Sequence, residues 1–391
     1  MRTVLTAEKL WDGTRWIEQP FVSFDDGRIE TIGSRLTDKL PAGEHVELPG
    51  AMLAPGFFDV HIHGASGHDV MEATPDALTK VGGMLGSHGT GAYLATTVTA
   101  TVDATLRSLE GLSKLIARGP EEGSSVAWPV GIHLEGPFLS HAKRGVHPPA
   151  LLQAADIGLF DKFWEAADGK IRLMTLAPEL PGAVELARHA TAKGVRISVG
   201  HSDATAAETR AVIAAGAVSA THTFNAMRAL DHREPGILGV VLTDDNLFAE
   251  LICDGIHNTP EMVKIWWRSK GLERAILVTD GMSATGMPDG EYQLGEITVQ
   301  VANGRASFGD VLAGSVLTLD RALTNFVAFT GATVEQGLRL LTANPATMTG
   351  FDSGIGRLEV GGVANLVALD GSGRLKASFV RGRRADQGIG R

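Results

Sequence analysis

The sequence predicts an α/β fold: a barrel of parallel strands, each followed by a helix, carrying a small β domain. Three observations predict it. From Ala51 onward, short apolar, β-rich runs alternate with Ala-rich helical stretches, the rhythm of strand–helix–strand units in a parallel sheet. The runs number eight: "FFDVHIHG", "AYLATTVTA", "WPVGIHLEG", "IRLMTLAPE", "VRISVGHS", "AVSATHTFN", "LFAELICDG" and "RAILVTDG". Nearly every run ends in His, Glu, Asp or Asn rather than in an apolar residue. That is the pattern of a (β/α)8 or TIM barrel, which gathers its reactive groups where the strands end.

Before the barrel, "TVLTAEKLWDGTRWIEQPFVSFDDGRIETIG" alternates apolar and polar positions. Asp-Gly pairs at Asp12–Gly13 and Asp26–Gly27 mark hairpins. Between the runs, segments such as "PGAVELARHATAKG" and "DATAAETRAVIAAG" read as helices. After the eighth run comes a β-rich excursion, "GEYQLGEITVQVANGRASFGD". Two helical segments follow, through "LTLDRALTNFVAFTG" and "TVEQGLRLLTANPATMTG", and the tail returns to strand-and-turn texture. Head and tail are therefore expected to pair. The expected division is a discontinuous β-sandwich from 1–53 and 348–391, and a catalytic barrel over 54–347 with an insertion near 289–312.

Composition narrows the function. A net charge of −10 over 391 residues argues against non-specific nucleic-acid binding. No apolar stretch is long enough to span a membrane. The opening "MRTVLTAEKLWDG" lacks the apolar core of a signal peptide. The single cysteine, Cys253, rules out an intrachain disulfide and fits a reducing compartment. A cytoplasmic location is the expectation.

The strand ends carry the chemistry. In "DVHIHG", His61 and His63 project to the same side of a strand by alternation. Glu135, His201, His222 and Asp280 end four other runs. Imidazole nitrogens with carboxylate oxygens suit a first-row divalent cation, and three protein ligands plus water make an open catalytic site. Taken alone, any one of these residues is more often a hydrogen-bonded loop residue than a ligand, and Asp280 can also be read as a helix cap. The weight lies in five strand ends meeting at one mouth. His133 shares a face with Glu135 and is expected to lie deeper, in the barrel interior.

With these motifs in hand, the chain resembles the amidohydrolase superfamily, and within it the N-acetylglucosamine-6-phosphate deacetylase family. The resemblance rests on "PGFFDVHIHG", "HLEGPF", "GHSDA", "THTFNAM", "HREPG", "DGIHN" and "TDGM" in this order, with "TANPA" and "IGRLEVGGVANLVALD" near the end. It implies a metal-dependent barrel with a β-sandwich built from both termini. It also implies hydrolysis of N-acetyl-D-glucosamine 6-phosphate to D-glucosamine 6-phosphate and acetate, in amino-sugar catabolism or cell-wall recycling.

The resemblance further implies Glu135, His201 and His222 as ligands of a principal divalent ion, zinc first, with iron or another first-row metal also suited. His61 and His63 would hold a second ion, giving one or two per subunit. Asp280 would be the general base and acid, and His147 in "KRGVHPP" would contact the acetyl oxygen. Asn225, Ala226, Arg233 and His257 would bind the phosphate. Arg233 would reach across from a neighbouring subunit, making the active form a homodimer. Three alternatives stay open: the same chemistry on another N-acetyl hexosamine phosphate such as N-acetyl-D-galactosamine 6-phosphate, a different amidohydrolase, and a non-catalytic scaffold. Asn365 departs from the superfamily habit, which favours Asp there.

Overall fold

The computed structural model describes residues 2–351 and 353–385. Residue 1, residue 352 and residues 386–391, all within the expected sandwich segments, lie outside the described residues. The centre is an eight-stranded parallel sheet whose strands follow one another in chain order. They are β1 (Phe57–Ile62), β2 (Thr90–Thr97), β3 (Trp128–Glu135), β4 (Ile171–Leu176), β5 (Arg196–Val199), β6 (Ala217–Ala220), β7 (Phe248–Ile252) and β8 (Ala275–Val278). All eight predicted runs are strands.

The barrel closes between its first and last strands. The backbone N–H of Asp280 donates to the carbonyl of His61 at 2.9 Å, and that of His63 to Gly281 at 2.7 Å. The Thr279 hydroxyl donates to the buried Asp59 carboxylate at 2.6 Å. Closure therefore draws His61, His63 and Asp280 together at one rim.

The connecting helices form because each buries apolar residues, and those between the barrel strands that begin at Pro75, Val102, Ile157 and Ala206 also start at a side-chain cap. Helix α1 (Pro75–Ser87) starts at Thr74, whose hydroxyl accepts from the Ala77 N–H, and places Pro75 at its first position. It buries Leu78, Val81 and Leu85 against the barrel. Helices α2 (Val102–Arg118), α3 (Ile157–Ala166), α4 (Ala183–Ala192), α5 (Ala206–Ala214), α6 (Gly236–Thr243) and α7 (Pro260–Arg274) complete the outer layer.

The predicted helix through "TVEQGLRLLTANPATMTG" is two helices. After α8 (Leu319–Thr330), helix α9 (Val334–Leu341) stops, the chain turns at Thr342 (φ −130°, ψ −82°), and α10 (Ala343–Thr349) begins. Pro345 is the reason. It has no N–H to donate to the Leu341 carbonyl, and its ring collides with the turn a continuous helix would require. In the first turn of a fresh helix that missing donor costs nothing.

Among the described residues four further sheets accompany the barrel, the smallest pairing Gly64–Ala65 with His68–Asp69. Thr3–Thr6, Pro20–Asp25, Arg28–Ser34 and Glu44–Glu47 form one. Asp26 and Gly27, with φ of 46° and 72°, make the two-residue turn between its second and third strands. A six-stranded sheet joins head and tail, with Met52–Pro55 antiparallel to Leu366–Leu369. Asn365 ties this sheet to the barrel, its amide donating to the Gly91 carbonyl at 3.1 Å and its oxygen accepting from the Arg381 N–H at 2.9 Å. The excursion after β8 is a four-stranded antiparallel sheet from Gly290 to Leu312, with an apolar core of its own that includes Met282, Val299 and Ala306.

Two adjacent glycines in α1 test this packing. A Cβ on Gly82 would lie 2.0 Å from the Ala127 carbonyl oxygen at the foot of β3, whereas one on Gly83 would meet nothing closer than 3.9 Å. Gly82→Ala is expected to destabilise the fold by about 1–3 kcal/mol through overpacking. Gly83→Ala is expected to stabilise it by about 0.5–1 kcal/mol through helix propensity. Denaturant unfolding of both variants checks the signs, and a shared sign would contradict this packing.

Candidate metal centre

The organising residue is Glu135, the last residue of β3, whose side chain is buried between two pairs of histidines. Its Oε1 lies 3.2 Å from His201 Nε2 and 3.2 Å from His222 Nε2. Its Oε2 lies 3.3 Å from His61 Nε2 and 3.2 Å from His63 Nε2. Asp280 Oδ1 closes the second group at 3.4 Å from His61 Nε2 and 3.1 Å from His63 Nε2. The two imidazoles of the first group touch, His201 Nε2 to His222 Nε2, at 3.0 Å.

The protons on these rings show what the cluster is built to hold. The Nδ1 of His201 sits 3.0 Å from the Lys143 carbonyl, that of His63 3.1 Å from the Thr96 carbonyl, and that of His61 3.2 Å from Glu250 Oε2. Each partner only accepts, so each Nδ1 carries hydrogen, and a ring without a second proton turns a bare Nε2 lone pair inward. The inward nitrogens of His61, His63 and His201 then face carboxylate oxygens at 3.1–3.4 Å in a largely buried space. Among the described residues, His61 Nε2 and Glu135 Oε1 are buried with no hydrogen-bond partner. Such an arrangement is repulsive unless positive charge sits within it. Nitrogen and carboxylate donors held by outer hydrogen bonds fit a divalent ion.

The pKa shifts report the same demand. Burial alone would lower His61 and His63, but Glu135 and Asp280 overcome it, holding His61 well above its usual range and His63 at about 9. Burial opposes the charge on Glu135 and Asp280 too, yet the surrounding imidazoles keep both well below the carboxylate range. Protons here do what a bound cation would do.

His147 stands differently. Its donor atoms approach those of Glu135 and His201 to within 4.8 Å, as a ligand's would. However, its Nδ1 accepts from the Thr99 N–H at 3.3 Å and lies 2.8 Å from the Thr99 hydroxyl. Burial, then His201, lowers its pKa to about 3, so the ring is neutral and its one proton lies on Nε2. That makes it a hydrogen-bond donor rather than a metal ligand.

Backbone geometry aims these groups. His201, His222 and Asp280 have φ of 46°, 28° and 50°, and Phe224 and Ala226 have 81° and 50°. Five non-glycine residues in the left-handed region within or beside one cleft are a concentration of strain typical of functional sites. Below, His133 Nε2 meets the Thr175 hydroxyl at 2.8 Å, which continues to Thr221 and Ser198. His133 thus belongs to a polar floor, and burial, with His61 nearby, keeps its pKa low.

The cleft above has a volume of about 240 Å³, room for one small molecule. His63, Glu135, His147, His201, His222, Asn225, Ala226, His257 and Asp280 all border it; His61 lies just beneath. Val98, Val146, Leu294, Val311 and Leu312 supply its apolar walls, the last three from the excursion. Arg233 is not among its lining residues: it is exposed on the loop before α6, where its N–H donates to Asp231 Oδ1. Sequence reasoning missed Glu250, whose signal was a charged residue inside the apolar run "LFAELICDG". It also missed Thr99, which acts through a backbone N–H that leaves no trace in sequence.

The barrel and its nest of inward-facing donors define a hydrolase-type cation centre at the mouth of an α/β barrel. The Amidohydrolase family model matches residues 52–386. The chain is 36% identical over 387 residues to the N-acetylgalactosamine-6-phosphate deacetylase of Escherichia coli O157:H7, covering 98% of this chain and 100% of that protein. It is 35% identical to the N-acetylglucosamine-6-phosphate deacetylase of Bacillus subtilis, covering 94% and 92%. Among solved structures, a mutant N-acetyl-D-glucosamine-6-phosphate deacetylase of Mycobacterium smegmatis, in complex with N-acetyl-D-glucosamine-6-phosphate, superposes with a TM-score of 0.90 at 34% identity, covering 98% of this chain and 99% of that one. The chain belongs to the amidohydrolase family.

Glu135→Gln removes the charge shared by both histidine pairs. Metal analysis of the purified variant is expected to find less than about 0.1 divalent ion per chain, because ligand charge and affinity are coupled. An unchanged metal content would show that Glu135 is not a ligand.

Proposed function

We propose that this protein hydrolyses N-acetyl-D-glucosamine 6-phosphate to D-glucosamine 6-phosphate and acetate. The observation that carries the reading is Glu135, flanked by two histidine pairs and facing Asp280 across a cleft also bordered by Asn225, Ala226 and His257. In this reading Glu135, His201 and His222 would hold the principal divalent ion, zinc, and His61 and His63 would hold a second. Bound there, zinc supplies Lewis acidity, lowering the pKa of water from ~15.7 to ~7 and polarising the amide carbonyl.

The protein's own groups do the rest. Asp280, kept ionised by its imidazole neighbours, takes the proton of the attacking water. His147 Nε2–H donates to the oxygen of the acetyl carbonyl as negative charge builds on it. When the C–N bond breaks, Asp280 returns its proton to the departing nitrogen, leaving a free amine and acetate. Asn225, the Ala226 backbone and His257 hold the phosphate that orients the sugar.

A homodimer completes the site in this reading, with Arg233 of one protomer reaching the phosphate in its neighbour. The exposure of Arg233 and its place outside its own cleft support that role. Arg suits it because a guanidinium contacts two phosphate oxygens together. The single, buried Cys253 supports a cytoplasmic location. We divide the chain into a sandwich (1–53 and 348–391) and a catalytic barrel (54–347), supported by the pairing of Met52–Pro55 with Leu366–Leu369. A second reading, deacetylation of N-acetyl-D-galactosamine 6-phosphate, is favoured by the E. coli relative. Acetate release measured on both epimers decides between them.

Asp280→Asn is expected to keep its metal but lose about 10²–10⁴-fold in kcat, the usual contribution of a positioned acid–base. Near-normal turnover would remove Asp280 from the mechanism. Arg233→Ala is expected to raise KM for the phosphorylated substrate while leaving activity on the phosphate-free sugar intact. An equal loss on both substrates would contradict the phosphate role.

A further inference from the structure

The loop after β7 holds an acid–imidazole pair of which the proposed roles use only the imidazole. Asp254 Oδ2 lies 2.7 Å from His257 Nδ1, and the two side chains are 9% and 6% exposed. The other oxygen, Oδ1, accepts from the backbone N–H groups of Ile256 at 2.8 Å and His257 at 2.7 Å. One carboxylate therefore does two separate jobs: Oδ1 forms the turn, and Oδ2 grips the ring.

The second job is not needed for the first. An Asx turn closes through one oxygen, and this loop is also pinned by two further side-chain amides. The Asn325 amide donates to the Cys253 carbonyl at 2.8 Å, and the Asn258 amide donates to the Ile252 carbonyl at 3.0 Å. With the backbone fixed at both sides, the contact between Oδ2 and Nδ1 settles what remains free, the rotation of the imidazole. His257 borders the cleft and Asp254 does not. Burial resists the charge on Asp254, yet His257 and two backbone N–H groups hold its pKa below the usual carboxylate value. An ionised carboxylate can only accept, so the proton on Nδ1 is directed at Asp254 and Nε2 is the nitrogen left for a ligand.

We infer that Asp254 is a positioning residue for substrate binding: it fixes the His257 ring so that Nε2 meets the phosphate of the substrate. The inference rests on the reading of His257 as a phosphate contact. Asp254 itself touches no substrate, so its effect passes entirely through His257.

A double-mutant cycle tests this on the metal-loaded full chain. Asp254→Ser keeps a short oxygen acceptor for the turn but removes the oxygen that grips the ring. It is expected to raise KM for N-acetyl-D-glucosamine 6-phosphate by about tenfold, with a smaller change in kcat. Its activity on phosphate-free N-acetyl-D-glucosamine and its metal content are expected to match the parent, which a general loss of folding would not allow. Combined with His257→Gln, which raises KM alone, Asp254→Ser is expected to add less than about twofold, since a residue acting only through another has nothing left to act on. Multiplying effects in the double variant, or equal losses on both substrates, would overturn the inference. If His257→Gln raises KM and Asp254→Ser does not, the positioning role alone falls. If His257→Gln leaves KM unchanged, the phosphate reading of His257 falls first and takes this inference with it.

Discussion

The structure depends on one arrangement: a single carboxylate, Glu135, placed so that each of its oxygens faces two imidazole nitrogens at 3.2–3.3 Å. In water such a cluster would scatter. Here it is assembled from the ends of different strands and buried. Two unlike charges 4 Å apart interact by about 4 kcal/mol at the effective dielectric of protein sites, against about 1 kcal/mol in water. Low dielectric is what makes the uncompensated arrangement costly and the cation-filled one favourable. The elevated basicity of His61 and His63 follows directly, because the carboxylates demand positive charge.

Holding that cluster costs local strain, which the barrel absorbs. Residues in sparsely populated backbone regions cost on the order of 1–3 kcal/mol each. His201, His222 and Asp280 all sit in the left-handed region, at the points where strands β5, β6 and β8 have just ended. The strands below are packed among fully buried residues such as Ile197, Val199, Ala220 and Leu277, which leave the chain no relaxed alternative. Outer hydrogen bonds finish the work. Glu250, with a fully buried side chain, meets His61 Nδ1 and accepts from the His222 N–H at 3.3 Å, so one side chain steadies a member of each histidine pair.

Much of this was legible in the sequence because alternation and strand ends are strong signals. His61 and His63 two residues apart, and Glu135, His201, His222 and Asp280 each closing an apolar run, already imply a shared mouth. The eight strands were legible for the same reason. Other features were not, for identifiable reasons. The break at Thr342 follows from Pro345 three residues later, inside a stretch whose periodicity otherwise continues. The positive φ values fall on residues other than glycine, so nothing in composition marks them. The tautomer of His147 is set by the Thr99 backbone, and the grip of Asp254 on His257 by loop geometry. Ligand positions are a property of topology; ring orientation is a property of neighbours that the sequence does not rank.

The proposed function requires a cation shared by Glu135, His201 and His222, three residues far apart in the chain. Crystals of the zinc-loaded protein, with anomalous differences recorded on both sides of the zinc edge, test it most directly. The expected result is a peak within about 2.0–2.2 Å of Glu135, His201 and His222 together. A peak bound by other residues while these three stay unligated, or no peak from protein that turns over substrate, would contradict it.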